Sequence, residues 1–162
     1  MKLRKADHGQ FIFHLGKREK LLLTELLRLY PLVPTSHHRS RSPPMTEEAS
    51  QKLIEEALAE NHAANKKQLE SLMTDPARFT EWEGGWYFSI MQPELEWLLQ
   101  VLNDIRVGSW VALGSPDRKQ EKRIQLSGEN AQYFWAMELC GHFESVLLHA
   151  LAGSAGQTTG EG

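Results

Sequence analysis

Apolar and polar positions alternate through KLRKA and FIFHL, and the break between them, Asp7-His8-Gly9-Gln10, is polar and contains a glycine. Period-two runs flanking such a break predict a β-hairpin. After Gly16 the period changes. In KREKLLLTELLRLY, Leu22, Leu26 and Leu29 fall on one face at helical spacing, and Pro31 ends the run. PLVPTSHHRSRSPPM has no usable periodicity and reads as a proline-rich loop over 31–45. Thr46 then stands where it can cap a long helix through TEEASQKLIEEALAENHAANKKQLESLM, whose first turn is acidic and whose apolar stripe is thin.

Thr74-Asp75-Pro76 restarts the chain and suggests a short helix. Gly84-Gly85 precede WYFSI, an aromatic and β-branched run that predicts a strand able to pair with the hairpin. Pro93, followed by Glu94 and Glu96, opens a helix that Gly114-Ser115-Pro116 closes. Ser127 can cap the last helix, AQYFWAMELCGHFESVLLHAL, which is apolar nearly all round, and the tail from 153 to 162 has nothing to bury. Together these elements predict one mainly α domain over 1–152. Its helices form an orthogonal or up-down bundle, with a small antiparallel sheet at the N-terminal side.

LNDIRVGSWVALG raises the chemical question, because it sets Asn103, Asp104 and Arg106 inside an apolar helical run. Stepping about 100° per residue, Arg106 lies among Leu99, Leu102 and Leu113, so its guanidinium is expected in the interior, where a lone charge is very costly. Glu19, at the start of the first helix, is the first candidate partner, and Glu138 the second. Asn103 and Asp104 face away, toward neighbouring backbone. On this reading Glu19, Asn103, Asp104, Arg106 and Glu138 form a structural polar network, and removing Arg106 costs about 3 kcal/mol or more.

Glu138, His142, Ser145 and His149 form a narrow polar stripe on the last helix. The competing reading makes Arg106, Glu138, His142 and His149 a ligand or active site, with His142 as a base, Glu138 as its orienting carboxylate and Arg106 on an anionic substrate. No activated nucleophile or phosphate-binding glycine loop accompanies them. A metal is not expected either. Cys140 points about 160° from His142, and His142 and His149 are about 10 Å apart along the axis. No cofactor is implied.

Lys and Arg total 18 against 21 Asp and Glu, a formal charge of -3, so nothing electrostatic asks for nucleic acid. The basic stretch His37–Ser42 could hold a phosphate, but in a proline-rich loop it reads as solvated surface. Cys140 is the single cysteine, and the first residues resemble neither a signal peptide nor a membrane span, so a cytoplasmic protein is expected. Trp97, Trp110 and Trp135 lie on otherwise apolar helices and are expected as core or interface anchors, while Trp82 and Trp86 flank the glycine pair. A homodimer that buries part of the last helix or Trp110 follows as an expectation.

Three stretches, GQFIFHLGKREKLLLTELL, WLLQVLNDIRVGSWVALG and YFWAMELCGHFESVLLHAL, resemble a family of bacterial helical proteins known only as a domain of unknown function. They cover a little over a third of the chain, and LNDIR is their most specific piece. The resemblance marks Glu19, Leu102, Asn103, Asp104 and Arg106 as family-like. It supplies no reaction. A second basic residue of the family's pattern is replaced here by Trp110, Val111 and Ala112. Family members are often encoded near a protease adaptor, which implies a proteolysis-related partner. The expected function is a non-enzymatic interaction or regulatory module.

Overall fold

The computed structural model describes residues 1–33 and 44–155, so His37–Ser42 and most of the proline-rich loop lie outside the described residues. The element order is β1 (Lys2–Asp7), β2 (Gln10–Gly16), α1 (Lys17–Leu27), α2 (Pro44–Thr74), β3 (Phe79–Trp82), β4 (Gly85–Met91), α3 (Gln92–Ala112), α4 (Arg118–Glu121) and α5 (Ala131–Ala155). The protein is mainly helical, with a four-stranded antiparallel sheet in the order β1-β2-β4-β3.

Both hairpins close on two-residue turns in which each residue has positive φ, His8-Gly9 (51°, 78°) and Glu83-Gly84 (36°, 82°). This geometry matches the twist of the flanking strands and explains the glycine at each second position. The short helix expected after Pro76 is corrected here. Phe79–Trp82 pairs with β4, Phe79 buried opposite Phe88 and the next three residues exposed, because the Glu83-Gly84 turn directs the chain back on itself. On the inner face, Phe11, Phe13 and Leu15 of β2 lie beside Phe88 and Ile90 of β4, and the Phe79 and Phe88 rings stack at 4.9 Å. α1 and α3 pack on β2 and β4, and α5 lies along α3.

α1 buries Leu23, Leu26 and Leu27 rather than the expected Leu22, Leu26 and Leu29. A leucine-rich run offers two overlapping stripes, and packing selects between them. α2 starts at Pro44, two residues before Thr46, so Thr46 is not its cap. Its C-terminal half docks. Leu69 and Leu72 enter the core, Asn65 donates to the Tyr30 hydroxyl at 2.9 Å, and the Trp97 indole donates to Asn65 at 3.0 Å.

Arg78, at the entrance to β3, grips Glu94 with two bonds of 2.6 and 2.5 Å, while the Glu94 carboxylate also accepts the Met91 N–H at 2.9 Å and so caps α3. The segment between α3 and α5 contains α4, capped by Asp117 through the Lys119 and Gln120 N–H groups. α5 starts at Ala131, as the run AQYFW predicts, which leaves Ser127 too far ahead of it to be the cap. The side chain of Asn130 ties this entry together, accepting the Ser127 N–H at 2.7 Å and donating to the Gln125 carbonyl. At the other end α5 runs to Ala155, so Gly153 to Ala155 belong to the helix and not to a flexible tail.

Candidate functional site

α3 buries Leu95, Leu98, Val101, Leu102, Ile105, Gly108 and Ser109. The centre of this arc lies on the Val101 and Gly108 side of Leu102, because Gly108 leaves room for the chain at Leu32 to press against the helix; a Cβ added there would stand 2.7 Å from Leu32. Arg106 is therefore turned to the edge of the interface. Its side chain is 49% exposed and pairs at 3.4 Å with Glu144 of α5. The sequestered Arg106, and its pairing with Glu19 or Glu138, are thus corrected.

Glu19 serves α1 itself. It accepts the Gly16 N–H at 2.8 Å and the Met1 amino group. Burial alone would raise its pKa, but the amino group, the Gly16 N–H and the charge of His142 together hold it below the usual value. Glu138, His142, Ser145 and His149 all face solvent on α5. Asn103 is exposed, while Asp104 accepts the backbone N–H groups of Leu32 at 3.0 Å and Val33 at 3.4 Å, anchoring the chain beyond α1 to α3. Asp104→Ala leaves these partly buried donors without an acceptor and is expected to lower stability by about 1–2 kcal/mol in a denaturant titration. An unchanged midpoint would show that the anchor is dispensable.

The acid at the α3–α5 contact is Glu144, which sequence reasoning missed. It falls at helical spacing among Ala136, Cys140, Phe143 and Leu147, all buried; a single carboxylate in that apolar stripe was the available signal, less conspicuous than the four-residue polar stripe beside it. Glu144 is 8% exposed, and its Oε1 has no hydrogen-bond partner among the described residues. Burial pushes its pKa up, and Arg106 pulls the other way without cancelling it. Burial likewise drives the Cys140 thiol, one turn earlier, up to about 12, with the Glu144 charge adding to it, which disfavours the thiolate that a nucleophile needs. The Ser109 hydroxyl, one turn beyond Arg106, is also buried without a partner among the described residues.

A carboxyl whose folded pKa is raised contributes stability below its unfolded value, and that contribution is lost as pH rises through the folded value. Glu144→Gln, which mimics the neutral acid, is therefore expected to be more stable than wild type by about 1 kcal/mol at pH 8, the difference vanishing toward pH 4. Thermal unfolding across that range checks both the sign and the direction of the trend.

On the outer side of Arg106 lies a cleft of about 290 Å³ lined by Arg106, Val107, Trp110, Glu121 and Met137. The Trp110 indole donates to the Pro116 carbonyl at 3.0 Å, which fixes the ring as one wall. Neither Glu138 nor His142 lines this cleft. Among the described residues no three His, Cys, Asp or Glu side chains are grouped to hold a metal ion, and no helix is long and apolar enough to cross a membrane. Comparison with protein-family models, curated proteins and solved structures finds no match.

Proposed function

We propose that this protein is a non-enzymatic interaction or regulatory module of the cytoplasm. The observation that carries the reading is the display of three tryptophans on the fold's elements, Trp82 of β3 (49% exposed), Trp110 of α3 (38%) and Trp135 of α5 (56%), while neither Glu138 nor His142 lines the cleft at Arg106. Exposed tryptophans are costly in water and are among the residues that contribute most when a partner covers them. Leu148 of α5, 55% exposed, extends the apolar surface of that helix. Resemblance to the family encoded near a protease adaptor makes a proteolysis-related protein one candidate partner, and a second copy of the chain, joined through α5 or Trp110, another.

Immobilised protein should retain a specific partner from native cell extract, and Trp135→Ala or Trp82→Ala should release it while the fold is unchanged. Sedimentation equilibrium on the same variants tests the second copy. A monomer at micromolar concentration that retains no protein would contradict the reading. The cleft at Arg106 favours a second reading, as a small-ligand protein.

A further inference from the structure

The Arg106 guanidinium has a single ion-pair partner among the described residues, and that contact is loose. At 3.4 Å it is longer than a charge-assisted hydrogen bond of about 2.7–2.9 Å, and half of the side chain is open to solvent. On its inner side stands a carboxylate that is nine-tenths buried and has an unpaired oxygen. On its outer side is the cleft, whose other walls are the Val107, Trp110 and Met137 side chains. A cation on the wall of an open, largely apolar slot is the chemistry that recognises an anionic head on an apolar body. Glu121 also lines the slot and disfavours a second negative charge.

We propose that this cleft binds a small organic monoanion, its carboxylate or sulfonate on Arg106 and its flat apolar body against Trp110, Val107 and Met137. Binding draws the guanidinium away from Glu144, which then takes a proton from solvent. The charged and titratable groups around Glu144 are Arg106 from α3 and Cys140 on its own helix, with Glu121 from α4 on the cleft wall. Where α1 and β1 meet α5, Glu19 interacts with the Met1 amino group and with His142. Because the incoming anion and Glu144 compete for one cation, lowering the pH neutralises the competitor and strengthens binding. This inference goes beyond the interaction reading and does not depend on it.

Benzenesulfonate, whose charge is constant over the working pH range, serves as the probe, with benzenesulfonamide as its neutral counterpart. The expected result is a saturable shift of the Trp110 indole N–H resonance with the sulfonate and none with the sulfonamide. Affinity should rise as the pH is lowered from neutral into acid, with calorimetry in buffers of different ionisation enthalpy showing proton uptake. Arg106→Gln should weaken binding at least about tenfold, whereas Glu144→Gln should tighten it about threefold to tenfold near pH 8 and abolish the proton uptake. No saturable shift at millimolar sulfonate, equal shifts with the sulfonamide, or binding that ignores both substitutions and pH would overturn the proposal.

Discussion

Gly108→Val is expected to destabilise the protein by about 3 kcal/mol, lowering the melting temperature by about 6–12 °C. Even the first added carbon would stand 2.7 Å from the Leu32 carbonyl carbon and from its Cβ, distances that require movement of backbone and not only of a flexible side-chain end. Leu32 cannot retreat freely, because its N–H and that of Val33 are held by Asp104 one turn earlier on the same helix. The steric cost must exceed the gain of about 1 kcal/mol that replacing a helical glycine by a better helix former brings. Gly141→Ala on α5 supplies the contrast, since a Cβ there meets nothing within 4 Å, and that variant should be neutral or slightly more stable. Equal melting temperatures for Gly108→Val and wild type would mean that Leu32 does not press on α3.

Arg78→Ala is expected to cost about 2–3 kcal/mol. The guanidinium joins the start of β3 to the first turn of α3 by two short bonds to Glu94, and Asp75 adds a weaker charge contact at 3.6 Å. Both Arg78 and Glu94 side chains are about a quarter exposed, so solvent screens the pair only in part. The hydrogen bond from Arg78 is the main reason the Glu94 carboxyl lies below its ordinary pKa, and burial works against it. An acid lowered in this way contributes stability above its unfolded pKa, near 4.5, and that contribution is lost as pH falls through the lower folded value. The deficit of Arg78→Ala relative to wild type should therefore be full at neutral pH and shrink in acid below about pH 4.5. A deficit that does not depend on pH would assign the loss to packing of the arginine stem instead of to the ion pair.

Elements bounded by residues with strong backbone preferences were legible. The α3 boundaries at Pro93 and Gly114 follow from proline's fixed φ and from a glycine at φ 86°, and the first hairpin follows from alternation around His8-Gly9. β3 was obscured because FTEW is only four residues long and follows an Asp-Pro pair that also suits a helix start. The pairing of β2 with β4 follows the alternation in both segments, but the docking of α2 through Asn65 does not, since it depends on Tyr30 and Trp97 meeting from two distant segments.

The candidate site was legible by residue type but not by side. Counting large apolar residues alone centres the buried arc of α3 too close to Arg106, whereas the side where Gly108 receives Leu32 is the side the core occupies. A shift of roughly 60° on a helix is enough to turn a residue from the core to its margin. The same change of centre relocates the acidic partner from Glu19 or Glu138 to Glu144, which lies on the apolar stripe of α5.

Arg106 thus lies at the margin of the fold and is not a buried clamp, and the stability of Arg106→Ala measures this directly. At about pH 4, below even the ordinary carboxyl value of 4.5 and so on the neutral side of the raised Glu144 group, the variant should unfold within about 1 kcal/mol of wild type. A loss of about 3 kcal/mol or more under those conditions would contradict the account and return the arginine to the role of an interior clamp.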